Sequence, residues 1–181
     1  LDSAYNIAKL HEKVQECAMG SPCLIALTDH NTINKAAYLN ATSLFPHMLI
    51  GAELHVRNYR DEPPYHCHIF FRNPVDANTV DALNVILDKL YPKKRVCASD
   101  QIPSIEDIAK HFDAYEFVLL PHGGQSHSTF DKSIPKGVQF DTTIERSIYY
   151  NHFDGFTARS NSGLDSTHEY FRRLGISEFV N

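Results

Sequence analysis

The chain has 181 residues, of which 43% are hydrophobic and 22% are charged, and its formal net charge is -5. This length and composition are typical of a single globular domain. The negative charge gives no electrostatic argument for a polyanionic partner. No apolar run approaches the roughly 18–20 residues that cross a bilayer, so we predict no membrane partner.

The cysteines and histidines of the chain bear on its compartment and on the kinds of site it can hold. Four cysteines lie at positions 17, 23, 67 and 97 without any C-x-x-C spacing, so neither a zinc ribbon nor a thioredoxin-type site is indicated. Scattered thiols are typical of small buried side chains in a reducing compartment, so we predict a cytoplasmic protein. Eleven histidines are the anomaly, because a chain of this length would carry about four.

Helices and strands are predicted to alternate along the chain. Apolar residues at helical spacing predict a helix over 4–18 with Ser3 as its N-cap. After the break at Gly20-Ser21-Pro22, an unalternating apolar run predicts a buried strand over 23–28. The later predicted helices cover 32–42, 74–90, the segment opening at Ser104-x-x-Asp107, 141–151 and 165–174, and the later strands cover 47–56, 65–71, 116–120, 153–158 and 176–180. Such alternation predicts a parallel sheet or barrel with helices outside, and the active site then lies at the carboxyl ends of the strands.

Metal-binding residue types occur at or near these strand ends. Imidazole nitrogen and carboxylate oxygen are the ligands of Zn²⁺, Fe²⁺ and Mn²⁺. Neighbouring strand residues point to opposite faces, so Glu53 shares a face with His55, and His66 shares one with His68. The candidates are Asp29 and His30 after the first strand, Glu53 in the second, His66 and His68 in the third, and His122 after the fourth.

Each candidate has a second interpretation. His30 could belong to a simple turn, since Asp and Asn favour turns, and His122 could sit in a glycine-rich turn. Glu53 lies in an apolar context, where an unpaired carboxylate costs several kcal/mol, so a cation partner is expected. His55 is expected to face solvent. Of His66 and His68, one is expected as a ligand and the other as structural, with His68 favoured because it lies deeper in the strand.

Nucleophilic and nucleotide-binding motifs are not supported. The segment 124–128 reads GQSHS, so its last position fails the G-x-S-x-G pattern of a serine hydrolase. The glycines also form no G-x-G-x-x-G motif or P-loop.

Five segments together resemble the PHP (polymerase and histidinol phosphatase) superfamily. They are ALTDHN (26–31), IGAELHV (50–56), YHCHIFF (65–71), VLLPHGG (118–124) and DGFTARSN (154–161). The resemblance implies one PHP-like domain over 1–181, folded as a distorted (β/α)7 TIM-like barrel. It also implies two or three divalent metal ions (Zn, Mn or Fe) and metal-dependent phosphoesterase activity, in which metal-activated water hydrolyses a phosphate ester.

The resemblance assigns roles to particular residues. It makes His30, Glu53 and His122 metal ligands, together with His68 or His66. Asp29 would support the centre by orienting a neighbouring group. Arg159 would contact the phosphate of the substrate, and His127 would contact substrate or protonate the leaving group, although a loop position is favoured for His127.

Two motifs of the family do not occur at their usual places. The family opens with H-x-H and closes with D-x-H, and from this we expect a domain truncated at both ends. The substrate would be a phosphorylated small molecule or a nucleic acid, and a fused or associated ATPase-like domain is a further expectation. The alternatives are a non-catalytic PHP-like module of a larger protein and another metallohydrolase, such as an amidohydrolase relative.

Overall fold

The computed structural model describes residues 3–92, 102–123, 128–135, 147–148, 151–158 and 161–174. None of the helices in these ranges is long and apolar enough to cross a membrane. The elements with bounds are α1 (Ala4–Ala18), β1 (Ile25–His30), α2 (Lys35–Ala41), β2 (Met48–Val56), β3 (Tyr65–Phe71), α3 (Ala77–Leu90), α4 (Ile105–His111), β4 (Phe117–Pro121), a 3-10 turn (Phe130–Lys132) and α5 (Asn161–Leu174).

Capping residues fix several helix starts where the sequence predicts them. Ser3 caps α1 by accepting a hydrogen bond from the Asn6 amide at 3.2 Å. Ser104 and Asp107 form the predicted capping box at the start of α4, in which each side chain bonds the backbone of the other residue. Helix α3 begins later than the prediction at Pro74, because Asp76 is the residue that caps it.

The four strands form an open mixed sheet in the order β1-β2-β3-β4. Strands β1 and β2 are parallel, β3 is antiparallel to β2, and β4 is antiparallel to β3. The predicted (β/α)7 barrel is therefore wrong. The physical reason is the connection 57–64, whose eight residues are too few for the crossover of a dozen or more that parallel neighbours need.

The later part of the chain also departs from the prediction. The strand expected over 153–158 is reduced to a single parallel bridge between His122 and Thr157. The last strand, over 176–180, lies outside the described residues, as does most of the helix expected over 141–151.

Alternate residues of the strands divide the sheet into two faces. One, the helix-covered face, packs in a single core with residues of the helices, and its β2 and β3 side chains are fully buried. The other, the open face, carries β2 and β3 side chains that are only partly buried. The helix-covered face holds Ile50, Ala52, Leu54 and Val56 of β2 and Tyr65, Cys67, Ile69 and Phe71 of β3, whereas the open face holds Gly51, Glu53, His55, His66, His68 and Phe70.

A buried tyrosine ties α2 to the first two strands. The Tyr38 hydroxyl accepts hydrogen bonds from the Leu27 amide at 2.9 Å and the Gly51 amide at 2.7 Å, and it donates to the Leu27 carbonyl at 2.6 Å. Burial is the main cause that raises the pKa of Tyr38 to about 12, so the hydroxyl keeps its proton at neutral pH. This hydroxyl therefore supports the stretch of β1 and β2 that precedes the candidate site.

Candidate metal centre

The strand directions bring the predicted ligands to one edge of the sheet. Strands β1, β2 and β4 run the same way and β3 runs against them, so the carboxyl ends of three strands meet the first half of β3. In the register of the sheet, Glu53 lies between His30 on β1 and His68 on β3. The predicted ligands were expected at the strand ends of a parallel sheet, and the mixed sheet brings them together as well.

Glu53 is at the centre of this group. Its Oε2 lies 2.8 Å from Nε2 of His30, and its Oε1 lies 2.7 Å from Nδ1 of His66. The same Oε1 lies 3.6 Å from Nε2 of His122. The Glu53 side chain is only 15% exposed, and a buried carboxylate of this kind was expected to need a partner. The three imidazoles are the partners that the structure shows.

Two sets of three residues have the spacing of metal ligands, and they share Glu53. The first is His30, Glu53 and His66, and the second is Glu53, His68 and His122. Within each set the ligand atoms lie within 4.8 Å of one another. Two imidazoles and one carboxylate are a common donor set for catalytic zinc, and imidazole also binds iron. The residues present therefore fit a divalent metal ion.

Backbone hydrogen bonds hold His122 in place beyond the end of β4. Its amide donates to the carbonyl of His66 at 2.8 Å, and its carbonyl accepts from the Phe130 amide at 2.9 Å. The bridge to Thr157 supports the same residue from another side. A histidine fixed through both of its peptide groups is better placed to present its ring than one in a simple glycine-rich turn.

The protonation of the cluster suits metal binding. Partial burial disfavours ionisation of Glu53, but the imidazoles of His30, His66, His122 and His68 outweigh it, and the net pKa of this carboxyl is lowered. Burial also lowers the pKa of His68, against the opposing charge of Glu53. Near neutral pH these two residues are therefore an ionised carboxylate and a neutral imidazole, the forms that bind metals.

Two residues of the cluster were not predicted as members. His55 was expected to face solvent, yet it lies opposite His66 in the sheet, and the Nε2 atoms of the two rings are 3.0 Å apart. Asn31, buried with 1% exposure, has a left-handed backbone with φ of 57°, and its side chain reaches both the amide and the ring of His55. The sequence could not show these contacts, because they depend on the antiparallel pairing of β2 and β3, which places His55 opposite His66.

The remaining predicted residues lie elsewhere or outside the described part of the chain. Asp29 alternates with His30 along β1 and interacts electrostatically with Tyr38, so the structure does not bring its side chain to the open face. Its catalytic role stays a prediction. His127 and Arg159 lie outside the described residues.

A concavity of about 430 Å³ adjoins the cluster on the open face of the sheet. His68 is part of its wall, and most of the rest is apolar. The other lining residues are Leu24, Ile25, Ala26, Thr28, Leu49, Phe70, Val118 and Leu120. A cleft of this size with a few polar groups at one end is typical of a small-molecule site.

Sequence comparisons identify no relative of this chain. No family model matches the chain, and no curated protein matches it. The resemblance to the PHP superfamily therefore depends on five sequence segments alone, and the geometry of the cluster is the evidence for its chemistry.

Proposed function

We propose that the protein is a metal-dependent phosphoesterase whose centre is built around Glu53, in keeping with the PHP resemblance of its motifs. The observation that supports this most is the pair of histidine sets sharing one carboxylate. Two ligand sets with a common carboxylate are the arrangement expected of a site for two neighbouring cations. A bound divalent cation would polarise the phosphoryl oxygens and lower the pKa of bound water.

The residues of the chain contribute charge, orientation and an apolar surface for the substrate. The Glu53 carboxylate offsets part of the cationic charge and is held at a fixed position by His30 and His66. Neutral His68 presents its ring at the junction of the cluster and the apolar concavity. A substrate with a phosphate at the cluster would place its apolar part in that concavity, against the apolar side chains that line it.

The proposal extends to the setting of the enzyme. We propose a phosphorylated small molecule or a nucleic acid as substrate, Zn, Mn or Fe as the metal, and an associated ATPase-like domain as a partner. The described cysteines, Cys17, Cys23 and Cys67, are all free, which supports a cytoplasmic location.

Metal binding and hydrolysis should be measured on the same preparations. Protein stripped by a chelator is titrated with Zn²⁺ or Mn²⁺ by calorimetry and then assayed with p-nitrophenyl phosphate. We expect Glu53→Gln and His122→Ala each to weaken binding by about 100-fold or more and to abolish hydrolysis, because the first removes the shared negative charge and the second removes an imidazole ligand. His111→Ala is the matched control, since this exposed histidine lies on α4 away from the cluster.

The outcomes separate the competing functions. Full phosphoesterase activity in the Glu53→Gln/His122→Ala double variant would contradict the proposal. Tight metal binding with no hydrolysis of any phosphoester would favour the non-catalytic module. Hydrolysis of amides in place of phosphoesters would favour an amidohydrolase relative.

A further inference from the structure

The side chain of Asn31 has an orientation that its neighbours determine. Its Oδ1 lies 3.0 Å from the amide nitrogen of His55, which can only donate. The oxygen must therefore face that amide, and the other branch of the side chain is the nitrogen. Asn31 is itself anchored, because its own amide donates to the carbonyl of Glu53 at 2.9 Å.

This orientation determines the tautomer of His55. Nδ2 of Asn31 lies 3.2 Å from Nδ1 of His55, and an amide nitrogen can only donate. Nδ1 of His55 must accept, so a neutral His55 carries its proton on Nε2. Because Nδ1 faces a donor, it holds no proton, and the geometry itself makes His55 a neutral ring.

The tautomer of His55 in turn determines that of His66. The two Nε2 atoms are 3.0 Å apart, so the proton on His55 makes Nε2 of His66 the acceptor. The proton of His66 then lies on Nδ1, which is 2.7 Å from Oε1 of Glu53. A doubly protonated His66 would place two N–H groups against each other, which the contact with His55 does not allow.

We propose that Asn31, His55 and His66 form a directed hydrogen-bond chain that positions the Glu53 carboxylate. Asn31, His55 and His66 are thus positioning residues. They act on the site through Glu53, as the partners that orient metal-binding groups do in other proteins. Hydrogen bonds in such a chain polarise one another, so the fixed amide at one end biases the donor at the other.

The chain also determines an order of metal loading, and this part of the inference rests on the proposed function. His66 has its proton directed at Glu53 and its lone pair directed at His55. It can offer Nδ1 to a cation only if both tautomers reverse against Asn31. The first ion is therefore taken by Glu53, His68 and His122, and the set containing His30 and His66 is filled second.

Imidazole nitrogen chemical shifts test the chain directly in the metal-free protein. Long-range ¹H–¹⁵N spectra at pH 7.5 distinguish Nδ1–H from Nε2–H tautomers. We expect His55 to be protonated on Nε2 and His66 on Nδ1. A His66 protonated on Nε2 would overturn the proposal, and this measurement requires neither a variant nor activity.

Substitutions at Asn31 and His55 test the direction of the chain. Asn31→Asp keeps an acceptor for the His55 amide but replaces the donor by an acceptor, so we expect a proton to appear on Nδ1 of His55. Asp also tolerates the left-handed backbone at this position. An unprotonated Nδ1 in this variant would contradict the chain.

The matched pair at His55 measures the consequence for metal binding. His55→Gln keeps a donor that can reach Nε2 of His66, whereas His55→Leu does not. We expect Zn²⁺ affinity to fall about tenfold in His55→Leu and to stay within about twofold of the wild type in His55→Gln. Equal losses in two variants with equal thermal stability would mean that the donor is irrelevant, which would refute the positioning role.

A Zn²⁺ titration followed in the same spectra tests the loading order. The first equivalent should shift the ring nitrogens of His68 and His122 and leave the Nδ1–H of His66 in place. Loss of that proton with the first equivalent would refute the order. Absence of any binding would reject the proposed function, whereas the tautomers of the metal-free protein would still stand as evidence for the chain.

Discussion

The two faces of the sheet are built from the same strands and have opposite character. On the helix-covered face every residue of β3 from Tyr65 to Phe71 is fully buried and apolar or aromatic, apart from the Cys67 thiol. On the open face the intervening residues include two histidines, both close to Glu53. Because the side-chain period of a strand is two, one strand can carry stability on one face and chemistry on the other.

The comparison predicts that adjacent substitutions in β3 have different effects, and this is the largest expected difference. Ile69→Ala leaves a cavity in the core and should lower the free energy of unfolding by about 4 kcal/mol. His68→Ala should change the stability of the metal-free protein by less than about 1 kcal/mol, since solvent reaches this residue. Urea unfolding measures both.

Metal binding should reverse the order of these two variants. Folded Ile69→Ala should keep its Zn²⁺ affinity, whereas His68→Ala should lose it, because only His68 belongs to a ligand set. If Ile69→Ala lost affinity as severely as His68→Ala under folding conditions, the separation of the two faces would be wrong.

A second prediction concerns the tyrosine that supports β1 and β2 from the helix-covered face. Tyr38→Phe removes the partner of the Leu27 and Gly51 amides and leaves them buried without it. We expect a loss of about 3 kcal/mol in urea unfolding, since each unsatisfied buried group costs about 1–3 kcal/mol. Tyr5→Phe is the control, because Tyr5 is 67% exposed. A similar loss in both variants would show that the hydroxyl network at Tyr38 is not the cause.

A third prediction uses pH to act on the histidines of the open face. The pKa of His55 is about 4 in the folded protein and near 6.5 when it is exposed. Above pH 6.5 the ring is neutral in both states, and as pH falls toward 4 only the unfolded chain takes up the proton, so stability falls. We expect a loss of about 1 kcal/mol between pH 7 and 4.5, a value reduced because solvent screens the half-buried ring.

Two other groups of the open face, His68 and Glu53, also have shifted pKa values, and both change stability in the same experiment. The pKa of His68 is also lowered, so it adds to the loss. Glu53 has the same sign in a lower pH range: because its pKa is below the ordinary 4.5, its stabilising contribution is present above that pH and is lost as pH falls below it. Chemical unfolding of metal-free wild type and His55→Gln at pH 7 and 4.5 measures the effect. An identical loss in the two proteins would exclude His55 as its source.

The elements and most of the cluster could be predicted from sequence because their signals are local. Periodicity and caps determine α1 and α4, and the residue types after buried strands indicate His30 and His122. The sheet could not be predicted in the same way, because strand direction depends on pairing between distant segments. The short connection 57–64 was the available signal for an antiparallel β3, and it also places His55 opposite His66. Asn31 has the left-handed backbone of a turn residue, but its side-chain role depends on the neighbouring strand.

The last prediction concerns Gly51, which lies on the open face and has no side chain. A Cβ added at Gly51 would lie 2.9 Å from Cδ1 and 3.1 Å from Cε1 of Phe70, and 3.3 Å from the carbonyl oxygen of Ile69. Phe70 is only partly buried, so its ring can move. We therefore expect Gly51→Ala to cost about 1 kcal/mol, at the low end of the range for overpacking.

A double-mutant cycle decides whether the Phe70 ring is the reason for this glycine. Phe70→Leu shortens the side chain that meets the added methyl, so Gly51→Ala should cost less in that background, with a coupling energy of about 0.5 kcal/mol or more. The ring of Phe70 lies 5.8 Å from that of His68, so the imidazole signals of His68 should shift in Gly51→Ala and return toward wild type in the double variant. An unchanged cost in the Phe70→Leu background would mean that the carbonyl of Ile69, and not the Phe70 ring, is what the added methyl meets. Backbone spacing, and not side-chain packing, would then be the reason for a glycine at position 51.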